Sequence, residues 1–400
     1  MSTPKKMTRR DLAFTAALLA QAGGLKATPQ DPAPAQPYTG PLEGFENKVR
    51  VEDFDPVAWT LARHETAPMR MTFKAANKKQ AEAWQKSFHA KLTELVGGFP
   101  KDRVALGPQT LEVTDFPDYR RERFVIETRP GVMMLGVLLT PKLSGGPPKH
   151  GFPTVVCAPG HGRGVDDIIG VNREGKPESN PKNIYRDYAL QVVRQGLAAV
   201  AIEMMAFGCR RDSRTKKEGL GASACQPTAG SALLLGETMV GWRVYDVMRT
   251  IDWIATRPEL DSKRVGCLGL SGGGTCTLFS AALDPRIKVA YVSGYLNTFR
   301  DCIMSMSHCI DNYVPGILQW GEMYDVAALI APRPLFVESG EHDPIFPLKG
   351  SLDSFAHVQR VYEVFGAKEH TQQEVFPGVH EFWGRQGLPF LKAKLESVKA

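Results

Sequence analysis

The sequence predicts an α/β fold: a mostly parallel central sheet with helices on both faces, preceded by a helical and antiparallel N-terminal extension. Three observations carry that prediction. Beyond residue 150, short runs of strand character alternate with helical segments. These strand segments are apolar throughout instead of alternating, as strands covered on both faces are. The runs also end in glycine-rich or polar turns, and in open sheets of this kind ligands bind beyond the carboxyl ends of the strands.

At the start of the chain, Thr8-Arg9-Arg10-Asp11-Leu12 precedes an apolar run ending in Ala20-Gln21-Ala22, a small-x-small cleavage pattern. Residues 1–22 thus read as a twin-arginine-type export signal, and the expected location is periplasmic or extracellular. The apolar run is too short for a stable membrane anchor. Residues 23–45, rich in Pro, Ala and Gln, read as a disordered linker. In the segment 46–109, Ala81, Trp84, Phe88, Leu92 and Leu95 recur every three or four residues and predict a helix over 75–96, stopped by Gly97-Gly98 and Pro100. Residues 110–114, 119–127 and 132–140 then read as an antiparallel lead-in, separated by Pro117-Asp118 and Pro130-Gly131 turns.

After Ser144-Gly145-Gly146-Pro147-Pro148 the predicted strands are 154–158, 198–202, 265–270, 289–293, 335–338 and 373–376. Helices are predicted near 184–194, 233–256, 275–283 and 352–365. In the longest, Val240, Val244, Val247, Ile251 and Ile254 form one apolar stripe.

Composition narrows the function. Apolar residues make up 43% and charged residues 23%, the balance of a soluble globular protein rather than a multi-span membrane protein. The formal net charge is +6, and half of that surplus lies in residues 1–22, so no nucleic-acid partner is expected. All seven cysteines lie beyond residue 156. Cys157, Cys267 and Cys276 fall in predicted core elements and read as buried thiols. Cys209, Cys225, Cys302 and Cys309 fall in predicted loops, where export would permit disulfides, although an odd total leaves at least one thiol unpaired. No cysteine or histidine spacing suggests a zinc site, so neither metal nor cofactor is expected.

The stretch Gly269-Leu270-Ser271-Gly272-Gly273 lies between a predicted strand and a predicted helix. A nucleophile on such a sharp turn needs small neighbours, and the glycines at 269 and 273 supply them. Serine is a poor nucleophile without a base and a group to orient that base. Asp343 in Gly340-Glu341-His342-Asp343-Pro344 and His380 in Pro377-Gly378-Val379-His380 follow later strands, giving the order Ser271, Asp343, His380. His342 is the main rival as base, and Glu341 or Asp325 could assist or replace Asp343 as acid. The oxyanion donors expected are the amide of Gly272, at the start of a helix, and that of His161 in Pro159-Gly160-His161-Gly162. Three long connections, 162–183, 207–230 and 297–321, are placed to shape specificity, with Arg163, Glu203, Tyr313 and Trp320 as candidate substrate contacts.

These motifs resemble the α/β-hydrolase superfamily over roughly residues 110–398, in particular its dienelactone-hydrolase-like and acetyl xylan esterase-like branch. Dienelactone hydrolases carry cysteine as nucleophile, and serine here points towards esterases. Glucuronoyl esterases carry arginine just after the nucleophile, where this chain has Gly272. The resemblance implies an α/β-hydrolase fold and cofactor-free hydrolysis of carboxylic esters through an acyl-enzyme, with acetylated carbohydrate as candidate substrate. A serine peptidase of prolyl-oligopeptidase type shares the triad order, but residues 45–140 are too few for its propeller. The remaining alternative is a noncatalytic binding protein on a hydrolase scaffold.

Overall fold

The computed structural model describes residues 40–180 and 182–399. The expected export signal and the linker up to residue 39 lie outside the described residues. The chain divides after Pro56 into two units. In the first, the described part is a run of turns ending in a 3-10 turn at Val51–Phe54. The second contains everything discussed below.

Among the described residues of that unit, strands β1 (Gln109–Asp115), β2 (Tyr119–Arg129), β3 (Val132–Pro141), β4 (Phe152–Ala158), β5 (Ala198–Ile202), β6 (Leu260–Leu270), β7 (Ile287–Ser293), β8 (Leu335–Gly340) and β9 (Thr371–Phe376) form one sheet in the order β1-β2-β3-β5-β4-β6-β7-β8-β9. Pairing is antiparallel from β1 to β5 and parallel from there on. The chain leaves β4 to one side to build β5, then returns to its other side to build β6. The sheet therefore has its topological switch between β4 and β6, the place where ligands bind in open sheets of this kind.

The described residues also form nine helices: α1 (Pro56–Glu65), α2 (Lys78–Leu95), α3 (Tyr188–Arg194), α4 (Cys225–Leu234), α5 (Met239–Ile254), α6 (Gly272–Leu283), α7 (Met323–Ala328), α8 (Leu348–Phe365) and α9 (Gly387–Ser397). Strand periodicity creates two apolar layers. Val156 and Ala158 of β4 join Phe88, Val244, Leu278 and Val358 on one face, while Val155 and Cys157 join Val192, Leu391 and Leu395 on the other. Helix α2 begins at Asn77, whose side chain accepts from the Gln80 amide, and it buries Ala81, Phe88 and Leu92. Burying a side chain of that kind contributes roughly 1.5–3 kcal/mol, more than the cap's ~1 kcal/mol.

The expected single helix over 233–256 is two helices. Gly236 takes φ 75°, and Thr238 caps a new start by accepting from the Gly241 amide. Thr238 also donates to the Val96 carbonyl at 2.9 Å, which ties this break to the end of α2. Helix α5 is buried nearly all round, and its charges are paired: Asp246 with Arg129 and Arg210, and Arg243 with Asp311. The seven cysteines are free thiols, so the loop cysteines form no disulfide here. No helix among the described residues is long and apolar enough to cross a membrane.

Candidate active site

Ser271 joins β6 to α6 with φ 61° and ψ −123°, a conformation that non-glycine residues adopt only when their surroundings enforce it. Glycine neighbours permit the enforcement. A Cβ on Gly273 would lie 1.8 Å from the Ala158 carbonyl oxygen, and one on Gly269 would lie 2.3 Å from the Gly273 carbonyl carbon. The Ser271 amide donates to the Ser293 carbonyl at 3.1 Å, and its own carbonyl accepts from the Thr275 amide at 2.9 Å. These bonds leave the side chain at the tip of the turn. Gly272 is the first residue of α6, so its amide has no intrahelical acceptor and lies at the positive end of the helix.

Asp343 and His380 arrive from the loops after β8 and β9. The His380 Nδ1 stands 2.7 Å from Asp343 Oδ2. The other carboxylate oxygen accepts from the amides of Ile345, at 2.8 Å, and Phe346, at 3.0 Å. Asp343 is thus buried yet fully engaged. Phe346 also stacks on the His380 ring at 5.5 Å between centroids. His380 Nε2 is buried and without a hydrogen-bond partner. Serine and histidine both border the end of β7: Ser293 holds the Ser271 amide, and a Cβ on the adjoining Gly294 would lie 3.3 Å from His380 Cε1.

The rival residues lie elsewhere. Glu341 and His342 are exposed. Asp325 shares a capping box with Glu322 at the start of α7 and accepts from the Phe73 amide.

The loop after β4 faces the elbow across the topological switch. A Cβ on Gly160 would stand 2.8 Å from the Leu270 carbonyl oxygen and 3.0 Å from Ser271 Cβ, and one on Gly272 would stand 3.6 Å from His161 Nδ1. Only glycine at 160 lets the two turns approach so closely. Tyr185 donates to the His161 carbonyl and Tyr188 to the Ala158 carbonyl, each at 2.6 Å, and these bonds fix the loop from behind.

Glu338, which the sequence did not single out, lies under the histidine loop. It is fully buried and accepts from Ser293 Oγ at 2.7 Å, Tyr291 Oη at 2.5 Å, the Trp383 amide at 2.8 Å and the Gly384 amide at 2.7 Å. Burial raises its pKa against the pull of those donors. One carboxylate thereby joins the strand end beside Ser271 to the segment following His380.

The candidate substrate contacts separate into two kinds. Arg163 is occupied within its own loop, by Asp167 and the Val171 carbonyl. Glu203 is 3% exposed and packed against Gly164 and Gly208, whose missing Cβ atoms make room for its carboxylate. Trp320 lies under the cationic groups of Arg70 and Lys91. Tyr313 alone of the four is largely accessible, at 40% exposed, and it borders a cavity of about 400 Å³ with Trp59, His64, Phe299, Ile317 and Leu318.

Comparison with known proteins places this geometry in context. The model of the Abhydrolase family matches residues 60–386. YtaP of Bacillus subtilis (strain 168), provisionally named a hydrolase, is 26% identical over 288 residues, covering 70% of this chain and 88% of its own. Among solved structures, a Bacteroides fragilis protein provisionally identified as an acetyl xylan esterase superposes with a TM-score of 0.73 at 19% identity, covering 86% of this chain and 95% of the other. A glucuronoyl esterase from Solibacter usitatus superposes with a TM-score of 0.61 at 16% identity, covering 82% and 97%. At these identities the structural likenesses establish the α/β-hydrolase fold.

Proposed function

The chain belongs to the Abhydrolase family, and from that premise we propose that it is a serine carboxylic-ester hydrolase that deacetylates a carbohydrate. The observation that carries the reading is the strained Ser271 elbow beside a His380–Asp343 pair whose outward nitrogen has no partner. In this reading His380 Nε2 takes the proton of Ser271 as its oxygen attacks the ester carbonyl, and Asp343 holds the imidazole and stabilises its charged form. His380 then protonates the departing alcohol. The tetrahedral oxyanion sits between the amides of Gly272 and His161, each such donor worth roughly 10²–10³ in rate. Water releases the acyl group by the same route in reverse.

The acetylated carbohydrate is supported by fold likeness to proteins named acetyl xylan esterases, from Bacteroides fragilis and from Paenibacillus sp. R4. Gly272 in place of the arginine expected of glucuronoyl esterases supports it too. Acetylated xylan, methyl glucuronate esters, feruloyl esters and aminoacyl amides, assayed side by side, test this directly. Deacetylation should dominate and be lost in Ser271→Ala. Amide cleavage without ester preference, or undiminished turnover by the variant, would overturn the reading. Export is proposed on residues 1–22, and intact-mass measurement of the native protein should show their removal.

A further inference from the structure

Beside the oxyanion loop, four side chains with metal-ligating atoms converge from three separate connections. His161 follows β4, Cys225 opens α4, and Cys309 and Asp311 lie between β7 and α7. We propose that His161, Cys225, Cys309 and Asp311 bind a single thiolate-preferring divalent ion of the zinc class, which clamps the His161 loop against the two connections opposite it.

The spacing carries the argument. Cys225 Sγ is 3.8 Å from His161 Nε2 and 3.2 Å from Asp311 Oδ2, and those two atoms are 3.6 Å apart. All four ligating atoms, Cys309 Sγ included, lie within 4.8 Å of one another. A tetrahedral zinc with ordinary bonds to nitrogen, oxygen and sulfur has ligand-to-ligand edges of about 3.3–3.8 Å. The cluster therefore needs only small adjustments to close on an ion. The three edges among His161, Cys225 and Asp311 are already close to tetrahedral lengths, and Cys309 Sγ lies within 4.8 Å of all three.

Charge and support agree with the spacing. On binding, the two thiols release their protons to solvent, so the ligands carry three negative charges. A dication supplies two positive charges, and the buried Arg243, 2.6 Å from Asp311 Oδ2 and 3.5 Å from Cys225 Sγ, supplies the third. Asp311 Oδ1 accepts from Asn312 Nδ2 at 2.7 Å, and Asn312 Oδ1 accepts from Thr275 Oγ1 at 2.7 Å on the nucleophile helix. Such outer bonds orient ligands and are typical of metal sites. They also link the site to the elbow, since the Thr275 amide donates to Ser271.

Metal content tests the proposal without any substrate. The full chain, made without a histidine tag, is reduced, stripped with chelator, given excess zinc and gel-filtered before elemental analysis. About one zinc per chain is expected. A cobalt-loaded sample should show thiolate-to-cobalt charge-transfer absorption, and Cys309→Ser and Asp311→Asn should each lower retention at least tenfold. Ser271→Ala should bind zinc as wild type does, which keeps failure of the metal site separate from failure of the esterase reading. Reduced wild-type protein that retains no zinc, or a cobalt form without the thiolate band, would overturn the proposal even if the ligand variants fail to fold. So would a Cys225–Cys309 disulfide in the native protein, seen as two fewer alkylatable thiols.

Discussion

His380 Nδ1 lies 2.7 Å from Asp343 Oδ2, while the amides of Ile345 and Phe346 hold the other oxygen of the same carboxylate. The carboxylate therefore has one oxygen for its own loop and one for the imidazole. Asp343→Asn separates these duties. The amide oxygen can still accept from Ile345 and Phe346, but an N–H then faces Nδ1, and the histidine must carry its proton on Nε2. In that tautomer it could not accept the proton of Ser271, the step proposed for it above. We expect kcat to fall about 10⁴-fold with KM little changed, as such a tautomer error does elsewhere. Steady-state kinetics with thermal melts check this, and activity within tenfold of wild type would remove Asp343 from the mechanism.

The elbow's geometry depends on Gly273 more than on any side chain. A methyl group there would sit 1.8 Å from the Ala158 carbonyl oxygen, a backbone atom with no rotamer to change. Gly273→Ala should cost about 3 kcal/mol or more, at or beyond the usual range for overpacking. Gly145→Ala, where nothing lies within 4 Å, should change stability by less than about 0.5 kcal/mol. Urea unfolding of the two variants measures the contrast, and equal stability would mean the β4 loop can withdraw from the elbow.

How far the sequence could show this site depends on the range of each interaction. The elbow is local: five consecutive residues carry the strained serine and the glycines that permit it. Asp343 and His380, which the structure joins by a hydrogen bond, stood out as candidates because each follows a strand closely and the chain order was informative. Pairing across space was not legible. Glu338 looked like one more residue of an apolar strand, yet it joins Ser293 to Trp383 and Gly384. Glu203, expected near substrate from its place after β5, is drawn inward by the room that Gly164 and Gly208 leave. The split between α4 and α5 turned on Gly236 and Thr238, a helix stop and a new cap that the apolar stripe from Val240 onward did not reveal. His161, Cys225, Cys309 and Asp311 are scattered over 150 residues, and no spacing rule brings them together.

Glu338 offers a test of how the histidine loop is held. It touches neither Ser271 nor the imidazole in any hydrogen bond, so it is a positioning residue. In Glu338→Gln, the amide nitrogen faces two of the four donors, one hydroxyl and one backbone amide whichever way it turns; the hydroxyl can rotate to accept, but the backbone N–H is left unpaired. Leaving a buried donor unpaired costs about 1–3 kcal/mol, and shifting the loop that carries His380 by a fraction of an ångström compounds it. We expect kcat to drop 10- to 100-fold, KM to change less than threefold, and the acid limb of the kcat profile to move. A variant that only melts earlier, with kcat and its pH profile intact at low temperature, would confine Glu338 to a structural role.

Glu203 makes the fold less stable as pH rises from about 4.5 to about 7. Its carboxyl is pushed up to about 7, chiefly by burial, with the Cys209 and Val165 amides and Arg210 opposing the shift. The folded state thus holds a proton that the unfolded chain, titrating near 4.5, has released. Stability from this group is complete below pH 4.5 and declines as pH rises, with the loss complete above the folded-state value near 7. Over that window the loss is on the order of 3 kcal/mol. Glu203→Gln has no proton to lose, and other titrating groups cancel in the difference between variant and wild type. Unfolding free energies measured from pH 5 to 8 should therefore show wild type losing ground to the variant up to about pH 7 and levelling off above it. Parallel curves would mean that Glu203 stays ionised throughout, held so by Arg210.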